Sequence, residues 1–378
     1  MTMKKFNQIV HDMLESADIQ IDGSRPWDIT IKDDRLYDRV MRQGSLGLGE
    51  AYMDGWWEAE ALDQFFARVL QARLEKKFFF KPAFVLEYLK SLLTNPQRKG
   101  KAYEIGEHHY DAGNDLYKAM LDKRMVYTCG YWQQAGTLDE AQEAKLDLVC
   151  KKIDLQPGQR VLDIGCGWGS FASYAAEEYG AEVVGITVSR EQVQLGRERC
   201  KGLPVEIRLQ DYRDINEPFD HIVSLGMVEH VGSKNYRNYM RTVHRCLKDD
   251  GIFLLHTIGS NESTHTTDPW IAKYIFPNSH LPSIRQLALA SEGLFVMEDW
   301  QNFGPYYDKT LMAWYQNFDD AWDELKSNYS ERFYRMWKYY LLSCAGSFRA
   351  RKNQLWQIVF TKGGIPGGFV APRYRIEP

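Results

Sequence analysis

The feature that most constrains this chain is a train of short apolar segments, each followed by an amphipathic helical pattern. Residues 160–164, 182–187, 205–209, 221–225 and 252–257 read as buried strands, with helices over 171–179, 191–200 and 236–247 between them. Strands that are apolar on both faces need helices on both, and a parallel pairing needs a crossover long enough to hold one. The pattern therefore predicts an α/β fold built on a doubly wound, Rossmann-like, mainly parallel sheet. Two later apolar runs, 294–299 and 355–361, are expected to pair as its antiparallel edge.

The first 90 residues read differently. Short amphipathic helices surround a glycine-rich turn, Gly44-Ser-Leu-Gly-Leu-Gly49, and Tyr52-Met-Asp-Gly-Trp-Trp57 follows. This is a small, mainly helical domain. Residues 91–105, which include Thr94-Asn-Pro-Gln-Arg-Lys-Gly100, read as a linker. Residues 106–378 form the second domain, whose stretch from about 262 to 350 is an aromatic helical cover. A chain of 378 residues has room for two such domains. Residues 73–101 carry eight basic side chains against Glu75 and Glu87, interleaved with Phe78, Phe79, Phe80, Phe84 and Tyr88. That mixture suits an anionic membrane interface, and equally a solvated basic face over a buried aromatic stripe.

Composition closes off several classes. A net charge of −4 argues against a dedicated nucleic-acid binder. A hydrophobic share of 44% with 26% charged residues argues against wholesale disorder. No stretch is apolar for long enough to span a bilayer, and Asn7, Gln8, His11 and Asp12 interrupt any signal-peptide core. The six cysteines form no C-x-x-C pair and no zinc spacing, so reduced thiols in a cytoplasmic protein without a metal site are expected.

The sharpest local motif is Val161-Leu-Asp-Ile-Gly-Cys-Gly-Trp-Gly169, a strand running into a helix through Gly165, Gly167 and Gly169. Small residues let a nucleotide-sized ligand approach the backbone at the carboxyl end of the first strand. The spacing is not the G-x-G-x-x-G of a pyrophosphate binder, and Asp163 favours a cationic ligand. It resembles the class I S-adenosylmethionine-dependent methyltransferases. Many of these place an acid after the second strand, whereas this chain reads Gly185-Ile-Thr-Val-Ser-Arg-Glu-Gln192. Thr187, Ser189 and Gln192 offer hydroxyl and amide contacts instead, and Gln210, Asp211 and Tyr212 are placed to meet an adenine. Ser189 and Gln192 also have the spacing of a helix capping box.

Further segments resemble the cyclopropane-fatty-acyl-phospholipid synthases, relatives of the mycolic acid cyclopropane synthases, over nearly the whole chain. They are Gly44–Glu50 with Asp54-Gly-Trp-Trp57, His109-Tyr-Asp-Ala-Gly-Asn114, Tyr127-Thr-Cys-Gly-Tyr-Trp132, Met227-Val-Glu-His230, His256-Thr-Ile-Gly259, Asp268–Pro277 and Ser343-Cys-Ala-Gly-Ser-Phe-Arg349. The resemblance implies methylene transfer from S-adenosylmethionine to cis double bonds of phospholipid acyl chains, at the inner membrane face, by a homodimer. It places Tyr127 and Thr128 with the cofactor residues above. It also implies a bicarbonate base held by Cys129, Glu229, His256, Tyr307 and the Ile258 amide. Such chemistry passes through a carbocation that aromatic faces shelter, and Tyr274, Phe276, Phe303, Tyr306, Tyr307, Trp314 and Tyr315 are available, although a core stripe reads the same way. Cys344 borders the expected site without a visible basic partner to activate it. Arg349 to Lys352 suit either phosphate head groups or solvent. Two other readings stay open: a methyltransferase for a soluble amine, and an inactive membrane-binding relative.

Overall fold

A computed structural model describes residues 3–74, 113–264 and 266–372. Most of the basic–aromatic stretch, the 91–105 linker and His109 lie outside them. Two short strands, β1 (Thr30–Ile31) and β2 (Trp57–Glu58), pair antiparallel within the N-terminal helices. The main sheet comprises β3 (Arg160–Ile164), β4 (Glu182–Thr187), β5 (Val205–Leu209), β6 (Phe219–Leu225), β7 (Leu247–Ser260), β8 (Val296–Asn302) and β9 (Asn353–Thr361). Its order is β5-β4-β3-β6-β7-β9-β8. Strands β3 to β7 are parallel and β8 runs antiparallel to β9. The predicted doubly wound α/β sheet and its antiparallel edge are both present.

The order in which successive strands are added reverses between β3 and β6. That leaves a crevice at the carboxyl ends of the strands, where such sheets bind ligands. Strand periodicity fixes which side chains face which layer. Val161 joins one apolar cluster with Phe171, Ala175 and Val193, while Leu162 and Ile164 join the other with Tyr239, Met240 and Leu287. Asp163 therefore stands on the Val161 face, a carboxylate set in an apolar layer.

The chain divides into two compact units. One comprises the described residues 3–74, 266–277 and 307–353, and the other comprises 113–264, 278–306 and 354–372. The expected aromatic cover is thus split, because its long helix Glu331–Arg349 packs with the N-terminal helices. Tyr339 lies 5.0 Å from Phe66, 5.6 Å from Tyr52 and 4.5 Å from Trp270 between ring centroids. Gly346 permits the crossing, since a Cβ there would meet Asp63 O at 2.6 Å. The expected glycine turn also differs. Only Gly44 turns, and Ser45–Met53 is helical, its Gly49 making room for the Trp270 ring, which a Cβ there would meet at 2.4 Å.

Candidate active site

Strand β3 delivers Asp163 to the crevice, and the turn after it is shaped by three glycines at positive φ. At Gly167, with φ of 55°, a Cβ would touch nothing within 4 Å, so the turn is open on that side. Asp163 is 1% exposed and its Oδ2 has no hydrogen-bond partner. Burial raises this carboxyl from 3.8 to about 7, opposed by the charge of Lys145. An orphaned buried acid beside an open backbone cradle fits a cationic nucleoside such as S-adenosylmethionine.

Strand β4 ends in Thr187, whose hydroxyl donates to Gln192 Oε1 at 2.7 Å. Ser189 caps the following helix by accepting from the Gln192 N–H at 3.3 Å. The reciprocal half of the expected capping box is missing, because Gln192 spends its carbonyl on Thr187. Gln210 donates its backbone N–H to Thr187 O at 3.0 Å, bringing the ends of β4 and β5 together. Asp211 is buried and gripped by Arg213 through Nε at 2.7 Å and Nη2 at 2.6 Å. The Tyr212 ring is buried 5.3 Å from Tyr239.

The loop 127–129 lies against the helix Leu138–Lys152. Gln142 donates to Thr128 O at 2.7 Å, and Lys145 Nζ donates to Thr128 Oγ1 at 2.8 Å. Tyr127 stacks edge-on against Tyr117 at 5.2 Å. Cys129 is fully buried, with its thiol donating to Gly130 O at 3.2 Å.

Beyond β6, the short turn Val228–His230 carries Glu229, and the Ile258 N–H donates to its Oε1 at 2.7 Å. Its Oε2 is buried without a partner. Burial raises Glu229 from 4.5 to about 7, against the lowering effect of the Ile258 amide, so much of it is protonated near neutral pH. His256 faces Leu225 in the neighbouring strand register and is 1% exposed. Burial, with Lys145 and Lys152 adding to it, holds His256 well below 6.5 and hence neutral. Gln357 Nε2 lies 3.3 Å from its Nδ1, while its Nε2 has no partner. The ring meets Phe303 at 5.8 Å, Phe303 meets Tyr131 at 5.6 Å, and Tyr131 meets Tyr306 at 5.5 Å. Burial, Tyr131 and Cys129 together raise the Tyr306 phenol. Cys129, Glu229, His256 and the Ile258 amide thus share one unit with the glycine turn. A half-protonated carboxyl, a neutral imidazole with an orphaned nitrogen and a thiol form a donor set that fits a small oxyanion.

Tyr307 and Cys344 belong to the other unit. The Tyr307 ring is buried 4.6 Å from Phe348 and 5.9 Å from Trp314. Cys344 is only partly shielded from solvent, yet its dense surroundings push the thiol up to about 12, the opposite of an activated nucleophile. Tyr274, Phe276, Trp314 and Tyr315 also lie in this unit, whereas Phe303 and Tyr306 lie with the sheet. Arg349, a candidate for phosphate head groups, is engaged by Asp63 and by Asp308 at 2.9 Å. Sequence reading missed Lys145, Gln142 and Gln357, which carry no motif. Their only sequence signal is a polar residue at a buried helix or strand position.

Residues 97–358 match the mycolic acid cyclopropane synthetase family. The cyclopropane-fatty-acyl-phospholipid synthase of Escherichia coli (strain K12) is 56% identical over 356 residues, which cover 94% of this chain and 93% of that protein. The mycolic acid cyclopropane synthase CmaA1, solved with SAH and CTAB, superposes with a TM-score of 0.65 at 33% identity, covering 69% of this chain and 98% of that one. A coclaurine N-methyltransferase, at 24% identity and a TM-score of 0.68, covers 83% of this chain and 99% of its own and shares the fold. By the extent of these matches, the chain belongs to the mycolic acid cyclopropane synthetase family.

Proposed function

We propose that this chain transfers a methylene group from S-adenosylmethionine to cis double bonds of phospholipid acyl chains, leaving cyclopropane rings and S-adenosylhomocysteine. What carries the reading is the relative named for that reaction, which this chain matches at 56% identity along 93% of its length. In this reading the glycine turn, Asp163, Thr187, Ser189, Gln192, Gln210, Asp211, Tyr212, Tyr127 and Thr128 hold the methyl donor. When bound, the donor supplies an electrophilic methyl group. The alkene electron pair forms the new C–C bond and leaves a carbocation on the acyl chain. Loss of a proton from the added carbon then closes the ring with the C–H electrons.

In this reading the aromatic row of Phe303, Tyr131 and Tyr306 shelters the cation. Cys129, Glu229 and His256 hold bicarbonate, which supplies the base, and the Ile258 N–H positions Glu229 by donating to its Oε1. Glu229 keeps its proton in place because burial disfavours the carboxylate, so it bridges to an oxyanion instead of repelling it. His256 stays neutral and offers Nε2 as donor or acceptor. The enzyme acts at an anionic membrane surface as a cytoplasmic homodimer, with the basic–aromatic stretch after Arg73 as its contact. No helix among the described residues is long and apolar enough to cross a membrane.

The test is to incubate purified protein with S-adenosylmethionine and vesicles bearing cis-unsaturated chains, then follow acyl mass. A gain of one CH2 with loss of the alkene is expected. Turnover of soluble amines without lipid product would replace this reading, as would vesicle binding without any turnover. Light scattering during size exclusion tests the dimer, and vesicle sedimentation at rising salt tests the surface contact.

A further inference from the structure

Lys145 is a wholly buried ammonium that neither the cofactor turn nor the proposed base set accounts for. It extends from the helix Leu138–Lys152, one turn beyond Gln142, and the two side chains grip opposite ends of Thr128. Tyr127 and Cys129 flank that residue, one assigned to the methyl donor and one to the oxyanion. A buried ammonium is costly unless an opposite charge compensates it. Among the described residues its hydrogen bond goes to a neutral hydroxyl, and the carboxyls of Asp122 and Asp163 act on it through charge alone, with no hydrogen bond or ion pair. Within reach of its charge, Asp163 Oδ2 and His256 Nε2 are buried without hydrogen-bond partners, and Glu229 Oε2 in the same unit is buried without one as well. The charge of Lys145 acts on Asp163 and on His256, and Cys129 and Asp122 act on Lys145 in turn. A buried cation without an ion pair, among polar atoms without partners, is the signature of a site completed by an anion.

We propose that Lys145 is a positioning residue of the reaction: it fixes Thr128 and provides the counter-charge for the oxyanion held by Cys129, Glu229 and His256. This rests on the oxyanion reading above. A role in the hydrogen bond alone, or in balancing Asp163 alone, predicts different behaviour.

The experiment uses full-length K145M and K145Q in bicarbonate-depleted buffer, with bicarbonate as the only titrant. Two readouts are followed, the rise in Tm of the S-adenosylhomocysteine complex and the bicarbonate concentration giving half-maximal product. Loss of one nearby charge is expected to raise both half-saturation values about tenfold in each variant, with S-adenosylhomocysteine affinity changing less than about threefold. K145Q restores a donor but no charge, so it should titrate like K145M. The proposal is overturned if the variants titrate like wild type, or if K145Q alone recovers wild-type behaviour. It is also overturned if S-adenosylhomocysteine affinity falls while the bicarbonate response is unchanged.

A wild-type enzyme that makes cyclopropane lipid but ignores bicarbonate in both readouts removes the oxyanion reading and this proposal together. Absence of lipid product with a normal bicarbonate response points instead to failure of the substrate assignment, and leaves the Lys145 titration decisive. Should neither variant fold, wild type still decides. Burial lowers Lys145 to about 8, opposed by Asp122, Cys129 and Asp163, and His256 also faces it. Bicarbonate affinity should therefore fall as pH rises through that region, and a flat profile sinks the idea.

Discussion

Two buried glutamates, one in each compact unit, meet opposite electrostatic surroundings. Glu50, 7% exposed, receives Arg39 at 2.7 Å, Lys273 at 2.6 Å and the Tyr274 hydroxyl at 2.8 Å. Burial alone would raise its pKa, but those three donors hold it down at about 2. Glu229, 5% exposed, has one amide on one oxygen and nothing on the other, and burial carries it up to about 7. The first carboxylate is satisfied and ties helices together. The second is held in a state that costs stability and leaves an atom for something else to meet. Burial of an acid by itself says little about its role; the completeness of its partners separates the two cases.

Substitution separates them most sharply. In E229Q the acid is lost but the shape is kept, so product formation should fall by about a thousandfold, while the melting temperature stays level or rises. Lipid mass analysis beside calorimetry measures both. In E50Q the order reverses. Stability should drop by about 2 kcal/mol, less than for a fully dry pair because the Lys273 side chain is 54% exposed, with turnover of the folded fraction unchanged. Urea unfolding checks it, and an inactive but stable E50Q breaks the contrast.

Dependence on pH provides a gentler version in the ligand-free protein. Glu229, raised from 4.5 to about 7, and Asp163, raised from 3.8 to about 7, keep protons that the unfolded chain releases first. Each therefore reduces stability as pH rises through that window, and the advantage of E229Q over wild type should shrink between about pH 8 and pH 5. Glu50 behaves in the opposite sense. Its stabilisation is present above 4.5 and is withdrawn only as pH falls toward about 2. The smallest effect concerns the cradle. G167A adds a methyl group where nothing is within 4 Å, so its cost is the positive φ, about 1 kcal/mol, and donor affinity measured by calorimetry should fall further than stability does.

The amino-acid sequence by itself determined the strands of the sheet, the glycine turn after β3 and the placing of Asp163 in β3, Glu229 in the turn after β6 and His256 in β7. These are local properties: apolar period, backbone freedom at glycine, and residue type along or just after a strand. Strands β3, β4 and β5 begin and end where that period does. Tertiary structure alone decided that Ser45–Met53 is helical, because Gly47 and Gly49 are small for the sake of Arg39 and Trp270, not for a bend. It also assigned the helix Glu331–Arg349 to the N-terminal unit, matched by rings hundreds of residues away. Above all it set the charges. Lys145 is an ordinary lysine in a helical pattern until folding removes its water, and Glu229 is an ordinary acid until burial raises it. Ionisation depends on what surrounds a group in three dimensions, and no residue's own neighbours in sequence carry that information.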